Sequence, residues 1–141
     1  MPGIQQRLPA RPSSVPQARR AVADFMRSHS SQSRAVILDI ALGVTEACAN
    51  VVRHAYPDGG GEVELEAVLE DGDLVVCVSD AGVGFEHPPR EPGAGLGVPL
   101  MERLASTTIH SRPGSTRVQM RFALGGAAGI RAGLTDAGQR F

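Results

Sequence analysis

Within the run GVTEACANVVRHAY, residues 43–56, four side chains are of types that do chemistry: Glu46, Asn50, Arg53 and His54. A carboxylate accepts a proton, an amide oxygen ligates a hard cation, and a guanidinium or imidazole holds an anion. At about 100° per residue these four, with Asp39, fall within roughly a third of a helix circumference. Two readings fit that arc: the solvated side of an amphipathic helix, or a row turned onto a ligand. On spacing alone the solvated side is the commoner outcome. Gly43 leans the other way, because a glycine inside a helix costs about 1 kcal/mol against alanine unless something approaches it closely.

Asp80 is the next such residue. In LVVCVSDAGVGF it continues the face of Leu74, Val76 and Val78 at the end of an apolar strand. A carboxylate packed there needs a specific donor; the plainer alternative is an aspartate opening a turn. Gly82 and Gly84 follow it and permit positive φ or a close backbone approach. Further on, Gly93, Gly95 and Gly97 lead through GAGLGVPL into a helix, an arrangement that offers N–H groups to an anion or serves as a plain linker.

The elements that must position these residues follow from hydrophobic period. An extended stretch at Ile4–Leu8 precedes a first helix, with Ser13 or Ser14 as its cap, Pro16 in its first turn, and Val22, Phe25 and Met26 at helical spacing. A second helix runs from about Ser33 to His54, with Ile37, Ile40, Val44, Cys48 and Val51 on one arc. AYPDGGG stops it. In EVELEAVLE, Val63, Leu65, Ala67 and Leu69 alternate with glutamates as in a strand wet on one face. EDGD signals a hairpin into LVVCVSD, VPLMERLA makes a short helix, and STTIHS and STRVQMRFAL make two further strands joined at RPG. On the last strand Thr116, Val118, Met120, Phe122 and Leu124 share a face. From Gly125 onward no periodicity is sustained, so residues 125–141 are expected to trail as a flexible tail after a domain of residues 1–124. The expected fold is a two-layer α/β (α+β) sandwich: a mixed, mostly antiparallel sheet covered on one face by helices.

Composition removes several function classes. The 141 residues carry a formal charge of −1, with no basic footprint for nucleic acid. The apolar runs fall short of the ~18 residues of a membrane span, and the N-terminal stretch lacks a secretory pattern, so a cytoplasmic protein is expected. Cys48 and Cys77 have neither CxxC nor metal spacing and are expected to be buried, reduced thiols.

Taken in order, Glu46-x-x-x-Asn50, Asp80-x-Gly82-x-Gly84, Gly93-x-Gly95-Leu96-Gly97 and Gly114-Ser115-Thr116 resemble the nucleotide-binding boxes of the GHKL (histidine-kinase-like) ATPase superfamily, over residues 5–124. TEACANVVRHAY and the short chain look most like its anti-sigma-factor serine/threonine kinases. The resemblance implies a Bergerat-type ATP-binding fold with ATP and Mg²⁺ as cofactors. It implies Glu46 as catalytic base, Asn50 as the Mg²⁺ ligand, and Arg53 near the phosphates, with His54 and Tyr56 lining the pocket. Asp80 and Thr116 would read adenine, and Gly82 and Gly84 would pass close to the base. Gly93, Gly95, Leu96 and Gly97 would serve the phosphates, with Arg90 as a further phosphate contact.

By the same resemblance the chain is expected to be an ATP-dependent protein serine kinase acting as an anti-sigma factor. Its expected partners are a sigma factor and a STAS-domain anti-anti-sigma protein, with no direct nucleic-acid or membrane partner. A homodimer is expected too, with Val22 and Phe25 as candidate contacts. The alternative is a non-catalytic nucleotide-binding module that sequesters a regulator without phosphoryl transfer. The catalytic half of a histidine kinase fits less well, since the chain before Ser33 has room for only one modest helix.

Overall fold

Serine starts both long helices, but by different means. In the computed structural model, which describes residues 1–84 and 97–125, helix α1 spans Ser14–His29 and helix α2 Arg34–Asn50. Ser33 caps α2 as its residue type favours: its backbone is extended and its Oγ accepts from the Val36 N–H at 3.2 Å. Ser13 makes no side-chain cap, contrary to expectation. The turn before α1 is already closed by backbone bonds, Ser14 N to Arg11 O (2.9 Å) and Val15 N to Pro12 O (3.2 Å). A π-helical turn, Val51–Ala55, continues α2. Helix α3, Gly97–Leu104, follows later.

Five strands, β1 (Gly3–Pro9), β2 (Glu62–Glu70), β3 (Asp73–Asp80), β4 (Ser106–Arg112) and β5 (Ser115–Ala123), form one sheet in the order β1-β2-β3-β5-β4. The expected mixed sheet is in fact antiparallel at every pairing. The connection through α3 does make β3 and β4 run the same way, but β5 is inserted between them, so no parallel pair is hydrogen-bonded. The β2–β3 hairpin turns at Asp71 and Gly72, both with positive φ (53° and 81°), as the Asp-Gly signal requires.

Register fixes the two faces. Val63, Leu65 and Ala67 lie opposite Asp80, Val78 and Val76, and Thr116, Val118, Met120 and Phe122 lie opposite Asp80, Val78, Val76 and Leu74. This inner face packs under the helices in one core with Val22, Met26, Ile40, Val44 and Cys48. Val22 and Phe25 are buried there, at 0% and 5% exposure. They fill the chain's own core, which removes them as dimer contacts. Both cysteines are free and buried, as expected.

The 22-residue helix 34–55 is long and apolar enough to cross a membrane by length and composition, which corrects the expectation that no run qualifies. Small residues at Ala35, Ala41, Ala47 and Ala49 keep its apolar character without lengthening any bulky stretch. Its larger inward side chains, Ile37, Ile40, Val44 and Val51, are buried in the core.

Candidate nucleotide site

The inner face turns polar at one end. Asp80 closes β3 half-buried, with Thr116 opposite it on β5. Burial pushes the Asp80 carboxyl up, and the Gly82 N–H, 2.9 Å from Oδ1, draws it partly back. Thr116 is buried, and its Oγ1 lies 2.9 Å from Ser111 Oγ on β4. A carboxylate and two hydroxyls thus end the inner-face rows of β3, β5 and β4, the first two of them apolar. They offer acceptors and a donor to a planar, nitrogen-rich ligand.

At its C-terminal end α2 delivers the second group. Asn50 is buried, at 4% exposure, and Glu46 is half-buried one turn before it. Asp39 is exposed, as is Arg53, so the expected arc divides: Glu46, Asn50 and His54 are half-buried or buried, while Asp39 and Arg53 face water. Gly43 is buried on the same inward side. A Cβ there would lie 3.0 Å from Phe122 Cζ and 3.3 Å from Met120 Sδ. The close approach its residue type called for is therefore made by the sheet.

Beyond Asn50 the π turn adds backbone to the helix, a distortion frequent at functional sites. Arg53 is exposed, yet its Nη2 donates to Asn50 Oδ1 at 3.2 Å, and His54 is half-buried. The Ala55 carbonyl ends the turn and accepts from the Val83 N–H at 2.8 Å. A Cβ on Gly82 would sit 2.1 Å from that same oxygen, and one on Gly84 (φ +80°) 2.3 Å from the Arg112 carbonyl. The two glycines let the loop run against the chain's own backbone on both sides. Tyr56 fixes the junction, its hydroxyl donating to the Glu62 carbonyl (2.7 Å) and accepting from the Ala81 N–H (2.9 Å). Ala55, Tyr56, Gly82, Val83 and Gly114 border a hollow of about 420 Å³.

The structure therefore brings the Asp80 loop against the end of the α2 π turn and joins Thr116 to Asp80 across the sheet. Gly97 is the first residue of α3, whose buried Met101 packs into the core. Arg90, Gly93, Gly95 and Leu96 lie outside the described residues, as does the expected tail after Gly125. Among the described residues no group of three or more His, Cys, Asp and Glu could hold a metal. A metal held by one amide oxygen and by phosphate and water needs no such group. Asn50 Oδ1 suits magnesium, which takes few protein ligands.

Three features escaped the sequence. Ser111 had a legible signal: once the turn is set at Pro113-Gly114, strand alternation places it opposite Thr116. The linking roles of the Ala55 carbonyl and the Tyr56 hydroxyl depend on tertiary contact. The π turn has no residue signature.

Comparison with known proteins accords with this geometry. The family model described as histidine kinase-like ATPase domain matches residues 8–122. The anti-sigma F factor of Clostridium acetobutylicum is 39% identical over 70 residues, covering 50% of this chain and 48% of that protein. The serine-protein kinase RsbW of Bacillus thuringiensis is 38% identical over 50 residues, 36% of this chain and 31% of that one. The chain thus spans less than half the length of these curated relatives in the matched regions. The crystal structure of the RsbU and RsbW domains of a Mycobacterium tuberculosis protein superposes with a TM-score of 0.70 at 21% identity, over 87% of this chain and 32% of that one. That last likeness is one of fold.

Proposed function

The chain belongs to the histidine kinase-like ATPase domain family, and from that premise we propose that it is an ATP-dependent protein serine kinase serving as a cytoplasmic anti-sigma factor, with residues 1–124 as its catalytic domain. The observation that carries this is the inward placement of Asn50 beside Glu46, at the end of the helix that meets the Asp80 loop. An ordinary solvated face would leave that amide in water.

In this reading Asp80 and Thr116 hold the adenine, the carboxylate accepting from its exocyclic amino group and Ser111 orienting the threonine hydroxyl. Gly82 and Gly84 keep the loop tight beneath it. Gly93, Gly95, Leu96 and Gly97 turn N–H groups to the phosphates, with Arg90, Arg53 and His54 at their flank. Asn50 Oδ1 would hold Mg²⁺, exchanging its bond from Arg53 for the metal. When bound, the metal supplies charge neutralisation at the γ-phosphoryl group. Glu46 accepts the proton of an attacking serine hydroxyl as that oxygen bonds to the γ-phosphorus and ADP departs.

The acceptor serine belongs to a STAS-type anti-anti-sigma protein. Phosphorylation places nearly two negative charges in that interface, expels the antagonist and frees the kinase, as a homodimer, to sequester a sigma factor. Transfer from γ-labelled ATP to such a protein tests the proposal. Glu46→Gln is expected to keep ATP affinity within a few-fold while lowering transfer by about 100-fold or more. Transfer unchanged in that variant refutes the base assignment.

One observation favours a second reading, a nucleotide-binding module that sequesters its regulator without phosphoryl transfer: Arg53 already occupies Asn50 Oδ1. Tight ATP binding that is indifferent to Mg²⁺, with no labelled product, would select it.

A further inference from the structure

The face of the sheet that the helices leave open carries four arginines, Arg7, Arg112, Arg117 and Arg121, whose neighbours differ. Arg121 lies 2.6 Å from Glu70 and 2.8 Å from Asp73, and Arg7 lies 2.6 Å from Glu64 and 3.7 Å from Glu62. Each has two carboxylates. Arg117 makes its described hydrogen bond, 3.2 Å from Nη2, to the thiol of Cys77, and burial pushes that thiol up, more than Arg117 draws it down, so it stays neutral. Arg117 also borders a hollow with Glu62, Glu64 and Asp80 on its wall, but Glu62 and Glu64 already serve Arg7 and Asp80 accepts from the Gly82 N–H.

On its other side Arg117 faces an imidazole and a second guanidinium. Strand alternation puts His110 and Arg112 on this outer face, exposed, with His110 directly opposite Arg117 and Arg112 opposite Ser115. Basic groups placed directly across a strand pair destabilise the sheet unless an anion lies between them. These four residues line a hollow of about 590 Å³ with no carboxylate in its wall among the described residues.

We infer that the outer face of the β4–β5 hairpin binds a phosphate monoester group, held by Arg112 and Arg117 with Ser115 and His110 beside them. Two guanidinium groups match the roughly −1.5 to −2 charge of a phosphate monoester, where a single carboxylate would leave one cation unanswered. Their forked donors suit its oxygens. The net charge of −1 disfavours an extended polyanion such as nucleic acid. Its basic groups come from the strand positions that alternate with Ser111 and Thr116, at the strand end that also carries Asp80, and the site stands whether or not the chain transfers phosphate.

The test is an amide-resolved NMR titration of the full chain at constant ionic strength, first with inorganic phosphate and then with a phosphoserine peptide, the unphosphorylated peptide serving as control. Saturable shifts at His110, Ser115 and Arg117 are expected. Arg112→Ala and Arg117→Ala should each weaken binding about tenfold, with Arg117→Lys intermediate and Arg121→Ala, on the same face, unchanged. A phosphopeptide at least about tenfold tighter than inorganic phosphate identifies a phosphorylated chain as the source, and equal affinities identify the free anion; either supports the site. Excess ADP should leave these shifts in place. Loss of the shifts on adding ADP would move the anion to the nucleotide site, overturning this inference while leaving the proposed function intact. Absence of saturation, or shifts indifferent to both arginine substitutions, also overturns it.

Discussion

The inner face of the sheet has two ends that differ in kind. At one, Leu74 of β3 lies opposite Phe122 of β5 and Leu69 of β2. At the other, along the same strands and in the same pleat, stand Asp80 and Thr116, with Ser111 beside them. The apolar end stabilises by removing side chains from water, at about 1.5–3 kcal/mol for each large one. The polar end gains little of that and must satisfy a half-buried carboxylate. One end holds the fold together, and the other holds groups that a stable core would do without. Such a local conflict marks a functional site.

Substitutions at the two ends should therefore behave oppositely. The largest effect is expected at the apolar end. Met120→Ala removes a fully buried side chain that lies against Gly43 and should lower unfolding free energy by about 2–5 kcal/mol in urea titrations. The nucleotide affinity of the remaining folded protein should be unaltered; a parallel loss of affinity would break the division. Gly82→Ala comes next. Its Cβ would meet the Ala55 carbonyl, a backbone group that cannot swing aside. A loss of about 1–3 kcal/mol is expected, here with weakened ATP binding by calorimetry, because the loop must leave the π turn.

Smallest, and opposite in sign, is Asp80→Asn. Burial holds the carboxyl above its ordinary 3.8, so the folded chain keeps that proton more tightly than the unfolded one. Stability then falls as pH rises from near 3.8 through the raised value. Asparagine carries no charge to lose and can still accept from the Gly82 N–H. The variant should melt slightly above the parent at neutral pH, with the gap closing below 3.8, while its ATP affinity drops. A variant that melts lower at neutral pH would mean that the charge at residue 80 stabilises the fold.

Much of this arrangement was legible beforehand. Period-2 alternation fixed the faces of β2, β3 and β5, and Asp71-Gly72 named its own turn. Asp80 stood out because a carboxylate continued an apolar row. Helical spacing grouped Glu46 with Asn50 but could not say which flank of α2 the sheet would cover, because side chains distant in sequence decide that. Gly43 held the clue, since Phe122 and Met120 fill the space its missing Cβ leaves. The start of α1 departs from the serine-cap expectation because backbone carbonyls of Arg11 and Pro12 take the place of a serine hydroxyl. The expectation of a mixed sheet fails because sequence alone does not reveal that the last strand enters between two others.

The phenol of Tyr56 touches the carbonyl that begins β2 and the amide that follows β3, while its own backbone leads out of the π turn. One oxygen atom thus rivets three segments far apart along the chain. Movement of the helix terminus by even an ångström would have to drag the loop after Asp80 with it or break that rivet, so the two halves of the cleft are built to shift together.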